Sequence, residues 1–172
     1  GLRNGVSGET TCDHEKLLRV GLRGYIDECR ERIAATCSQS AEEQEKIDFW
    51  NACIIQCEGL ITYARRMADE AQRQAEACTD PERRAELVQI AENCRVVPEN
   101  PPQTFWQALQ MVWFAHVYFH IEVCTTACGF GRFDQYMWPF YRKDVLEDKR
   151  MSREKALELL ECFYLKACEV YE

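Results

Sequence analysis

Thr104-Phe105-Trp106-Gln107-Ala108-Leu109-Gln110-Met111-Val112-Trp113-Phe114-Ala115-His116-Val117-Tyr118-Phe119-His120 is the stretch on which the fold turns. Thr104 and Gln107 have the spacing of a capping box, in which each side chain satisfies an orphan amide of a first helical turn. The helix they open runs from Phe105 to about His120. It is apolar nearly all round, through Trp106, Leu109, Met111, Val112, Trp113, Phe114 and Phe119. A helix without a polar face has to be covered on several sides. A chain of 172 residues can form a core, but covering this helix asks for more. The sequence therefore reads as part of a larger molecule.

Upstream, Val96–Gln103 holds three prolines and predicts an extended connector. Before it, Trp50, Ile54, Cys57, Ile61, Ala64, Ala68, Ala71 and Ala75 recur in steps of four and three. That is a narrow seam on a helix from about Ala41 to Cys78. Thr79-Asp80-Pro81 breaks it, with Asp80 as cap and Pro81 as first helical residue. Leu87, Ile90 and Cys94 then run back along the seam, so an antiparallel helical hairpin is expected over about 41–95. A further helix from His14 to about Thr36 carries Leu17, Leu18, Leu22, Tyr25, Ile26, Cys29 and Ile33. Gly21 and Gly24 weaken it by about 1 kcal/mol each relative to alanine. Gly1–Thr11 reads as loop.

Downstream, Ile121–Gly129 lacks helical period and fits a strand or an irregular crossing. Gly129 and Gly131 permit a tight turn before a helix from about Phe133 to Glu147. The buried helix and this region form one block over about 104–147. Ser152 caps a last helix, still running at Glu172, as in an excised piece. The fold class is mainly α.

Hydrophobic residues make up 47% of the chain and charged residues 29%, a globular composition. A net charge of −8 with no basic run excludes nucleic-acid binding. The eleven cysteines lie largely on helical apolar faces, and no secretory leader opens the chain, so a reducing cytoplasm is expected. The most apolar stretch, Phe105–Val123, is interrupted by Gln107, Gln110, His116, His120 and Glu122, so no membrane span is expected.

Cys53/Cys57 and Cys124/Cys128 are spaced to share a helix face, but neither pair has a second pair or a histidine at ligand spacing. His116 and His120 lack the glutamate of a zinc-protease helix. Both sets read as core residues, and no metal site is assigned. Glu122, set between the buried helix and the following crossing, would need a partner; Arg132 is the nearest in sequence.

The run Gly131-Arg132-Phe133-Asp134-Gln135-Tyr136, followed by Pro139, Tyr141 and Asp144, resembles the signature of glycyl radical enzymes of the pyruvate formate-lyase superfamily. The resemblance is to its glycerol dehydratase, choline lyase and arylacetate decarboxylase branches. It extends through Arg153–Cys162, through Val97-Pro98 and Thr104–Gln110, and through Gly8, Asp13, Glu15, Lys16, Leu17, Leu18, Gly21 and Gly24. It implies an N-terminal-half segment of an α/β barrel with surrounding helices. It further implies a parent enzyme, a lyase, dehydratase, decarboxylase or formate acetyltransferase, that cleaves a C–C, C–O or C–N bond of a small organic molecule. A radical on a backbone glycine, installed by a radical-SAM iron–sulfur activase, would take hydrogen from a cysteine thiol, and the thiyl from substrate. The parent would be a homodimer working in the cytoplasm.

The family's cysteine loop and glycine loop are both absent from this chain, so no catalytic residue is assigned and the segment binds no cofactor of its own. Many relatives have an asparagine-glycine-histidine-serine run where this chain has Cys124-Thr125-Thr126-Ala127, and a glycine-histidine pair where it has Gly8-Glu9. The resemblance thus implies that Glu9, Thr125, Thr126 and Cys128 line part of the substrate pocket, with hydrogen-bonding groups unlike those of polyol-using relatives. The alternative reading is a non-catalytic helical interaction module or partner subunit.

Overall fold

A computed structural model describes residues 9–37, 40–123 and 127–169. The elements run β1 (Glu9–Thr11), α1 (His14–Ala35), α2 (Ala41–Ala77), α3 (Pro81–Val96) and α4 (Phe105–Tyr118). A π-helical turn (Phe119–Val123), β2 (Ala127–Gly129), α5 (Phe133–Tyr141), a second π-helical turn (Arg142–Glu147) and α6 (Arg153–Glu169) follow. The segment is mainly α. It divides into two compact units, Arg19–Pro101 and Gly1–Leu18 with Pro102–Glu172.

In the Arg19–Pro101 unit, α2 and α3 pack together, and the alanine seam explains why. Ile61, Ala64, Ala68, Ala71 and Ala75 are buried on α2, as are Leu87, Ala91 and Cys94 on α3. Small side chains in steps of three and four let two helix axes approach closely. The helix starts are chemical: the Ser40 hydroxyl accepts from the Glu43 amide at 3.2 Å, and Asp80 accepts from the Glu82 amide at 3.0 Å, with Pro81 behind it.

The connector differs from expectation. It is a tight turn rather than an extended connector, because α3 continues to Val96 and its last carbonyls keep their partners: Val97 N donates to Asn93 O and Asn100 N to Val96 O, both at 2.9 Å. The carbonyls of Pro98 and Glu99 then accept from the amides of Leu22 and Arg23, also at 2.9 Å. Those amides face the connector because α1 breaks at Gly21, whose φ is +65°. A Cβ at Gly21 would lie 2.6 Å from Glu99 O, so only glycine fits. Glu99 bridges Arg23 and Arg65, the latter at 2.6 Å. Burial works against its ionisation, but the two guanidiniums win and hold its carboxyl below the usual range.

In the other unit, Thr104 caps α4 through the Gln107 amide at 3.2 Å. The return bond of the box is displaced by one residue, since Gln107 Oε1 accepts from Gln103 N at 2.8 Å. Phe105, Leu109, Met111, Val112, Phe114 and His116 are buried along α4. Trp113 meets Phe163 of α6 edge-on, and Phe105 meets Tyr141 of α5 in the same way. Ser152 caps α6 by accepting from the Lys155 amide at 3.1 Å. Among the described residues no helix is long and apolar enough to cross a membrane.

Candidate functional site

The expected loop at the start of the chain is, over Glu9–Thr11, a strand. β1 pairs in parallel with β2, in the register Glu9 with Ala127, Thr10 with Cys128 and Thr11 with Gly129. Glu9 and Ala127, each belonging to a stretch singled out separately and far apart in sequence, thus lie side by side. Sequence reading missed the pairing because three-residue strands have no local signature and are fixed by the partner they meet. Thr125 and Thr126 lie outside the described residues, and of Glu9 only the backbone is described.

Side chains of a strand alternate between faces, and the pair has two unlike sides. On one, Cys128 is buried at 7% exposure, paired in register with Thr10, with Cys12 two residues along from Thr10. Burial, and then the neighbouring Cys128 and Asp13, push the Cys12 thiol up to about 11. Burial raises Cys128 too. Both are thiols at neutral pH and not nucleophilic thiolates. His14, at the start of α1, sits on the Tyr136 ring at 5.1 Å between centroids. It is buried, and neither ring nitrogen has a hydrogen-bond partner among the described residues. Burial brings it down to about 4 against a small opposing effect of Asp13.

The His116 and His120 rings lie 4.3 Å apart, tilted by 52°, and His116 stands 4.8 Å from Phe130. Burial first, and then His120 and His14, bring His116 down to about 4. All three histidines of the chain therefore gather behind the strand pair. Among the described residues no group of three or more His, Cys, Asp or Glu side chains is placed to hold a metal ion. This core holds the neutral imidazoles of His14 and His116 and the thiols of Cys12 and Cys128.

Tyr136 ties that core to β2. Its hydroxyl donates to Phe130 O at 2.7 Å, fixing the turn in which Gly131 takes a φ of +60°. Burial raises its phenol well above the ordinary value, so it remains a donor. This gives the signature run a physical content: the glycine for the turn, the tyrosine to clamp it. Arg132 bonds Gln135 at 3.4 Å. Glu122 lies in the π-helical turn and is exposed.

The opposite side of the strand pair is open. Thr11, Gly129 and Gly131 are exposed there. A Cβ on Gly129 would lie 3.3 Å from Thr11 Oγ1, and one on Gly131 would lie 3.2 Å from Thr11 Cγ2.

The family described as pyruvate formate lyase-like matches residues 3–172. An isethionate sulfite-lyase from Oleidesulfovibrio alaskensis is 44% identical over 155 residues, 89% of this chain and 19% of that protein. A solved structure described as 1,2-propanediol dehydration in Roseburia inulinivorans superposes with a TM-score of 0.88 at 38% identity, over 91% of this chain and 19% of that one. The glycerol-bound B12-independent glycerol dehydratase from Clostridium butyricum has the same TM-score at 36% identity, over 94% and 20%. The chain thus spans about a fifth of the length of the relatives it matches.

Proposed function

The chain belongs to the pyruvate formate lyase-like family of glycyl radical enzymes, and from that premise we propose that it supplies one wall of the substrate pocket of a glycyl radical lyase or dehydratase. The observation that carries this reading is the register of β1 on β2, which sets the Glu9 and Ala127 backbones side by side. Glu9, Thr125 and Thr126 offer the polar groups of that wall, and Cys128 belongs to its buried inner layer.

The glycine-stored radical of the parent supplies hydrogen abstraction, and its two radical-bearing loops belong to other parts of the polypeptide. The residues of this segment bind, orient and exclude water, which protects a radical intermediate from side reactions. Their neutral buried layer of imidazole and thiol groups adds no charge behind the wall.

The bond broken is C–O, C–N or C–C, or C–S as in a sulfite-lyase. The 44% identity to an isethionate sulfite-lyase favours a small hydroxylated sulfonate over a plain polyol. The parent works in the cytoplasm as a homodimer, activated by a radical-SAM enzyme with an iron–sulfur cluster.

The test is anaerobic co-expression of the full-length parent with its activase. Electron paramagnetic resonance should show a glycyl doublet, and isethionate should yield sulfite faster than 1,2-propanediol yields aldehyde. Absence of the doublet in fully activated preparations would sink the enzyme reading; aldehyde alone would move the substrate to the diols.

A further inference from the structure

Among the described residues, Thr11 on the open side of the strand pair has unspent hydrogen-bonding capacity. Thr11 is exposed, and no described residue bonds its hydroxyl. A threonine hydroxyl can both donate and accept. Its neighbours on that side, Gly129 and Gly131, have no side chains, so the space in front of Thr11 is kept clear by the sequence itself. The close distances from their hypothetical Cβ atoms to Oγ1 and Cγ2 locate the threonine directly over both glycines.

The covered side offers no such room. Cys128 is buried there, and Cys12, Tyr136 and His14 stand close enough for their charges to be felt by one another or for their rings to touch. Parallel pairing also fixes which residues share a side: Thr11 is two residues from Glu9 and aligned with Gly129, itself two from Ala127. Alternation places the Cα–Cβ direction of Thr11 and its equivalent at Gly129 on a common side.

We propose that Thr11 is a specificity-determining residue of the substrate pocket, its hydroxyl bonding a polar oxygen of a small hydroxylated or sulfonated substrate in the space left by Gly129 and Gly131. This rests on the reading of the strand pair as pocket wall. Thr11 selects by one hydrogen bond, and the two glycines set how near the substrate approaches.

Calorimetric binding to the unactivated full-length parent tests this without radical chemistry, with isethionate and 1,2-propanediol as probes. Thr11→Val, which keeps the shape and removes the hydroxyl, should raise the Kd of the probe that wild type binds about five- to tenfold. Thr11→Ser should stay within about twofold of wild type. Gly129→Ala, which crowds Oγ1, should weaken binding with the melting temperature unchanged.

If wild type binds neither probe, the pocket reading fails and this inference with it. If wild type binds and Thr11→Val binds equally well, the pocket stands and the role of Thr11 is overturned. A fall in melting temperature with unchanged Kd would also overturn it, assigning the open side to packing against the rest of the polypeptide.

Discussion

Buried Asp144 accepts the amide of Phe105 at 2.7 Å through Oδ2, while its backbone carbonyl accepts from Arg150 and Met151. It thereby satisfies an orphan donor at the start of α4 that lies too deep for water to reach. Removing one partner of a buried bond costs the desolvation of the other. Asp144→Ala should therefore lower stability by roughly 2–3 kcal/mol, and Asp144→Asn, which retains an acceptor, by less; urea unfolding of the chain measures both. Equal losses would show that charge, rather than the bond to Phe105, matters here. At Gly21 the constraint is steric. With φ at +65° and a backbone oxygen 2.6 Å from the place of a Cβ, Gly21→Ala should cost more than the roughly 1–2 kcal/mol of a left-handed residue alone. A circular-dichroism melt matching wild type would contradict that geometry.

Helices and their caps were legible because their signals are local. Asp80, Thr104 and Ser152 each announce a start, and the alanine seam of α2 announces a partner. The seam sets its own test: Ala68 has no exposed surface, so Ala68→Leu should overpack the α2–α3 contact and cost about 1–3 kcal/mol. A fully tolerated leucine would mean that the helices part readily. Non-local elements were not legible. Three prolines before Thr104 suggested an extended path, but the amides freed by Gly21 made a tight turn the better-bonded choice. Glu9–Thr11 shows as a strand only once β2 is beside it. The candidate site was half visible for the same reason. Resemblance singled out two stretches, but sidedness decides that Cys128 is buried and Thr11 open, and sidedness depends on register. A Thr-Thr pair beside a Gly-x-Gly would have been the only advance signal.

At the scale of the molecule, His14 of α1 and His116 of α4 meet in one core, and that makes stability depend on pH. An unfolded histidine titrates near 6.5, whereas burial brings His14 and His116 down to about 4. Between those values the unfolded chain binds protons that the folded chain refuses. Stability is therefore full above pH 6.5 and is lost as the pH falls toward 4. Each imidazole contributes up to roughly 3 kcal/mol across that window. The two do not simply add, because each one's charge is felt by the other. Ordinary carboxylates titrate near 4, so the interval from pH 6.5 to 5 isolates the histidines. Over that interval the urea midpoint of the chain should fall steadily. His14→Phe, which preserves the ring against Tyr136 and cannot take a proton, should reduce the slope by about half. The residual slope then belongs to His116. A slope unchanged by the substitution would mean that water reaches His14 in the folded state and that the layer behind the strand pair is not dry.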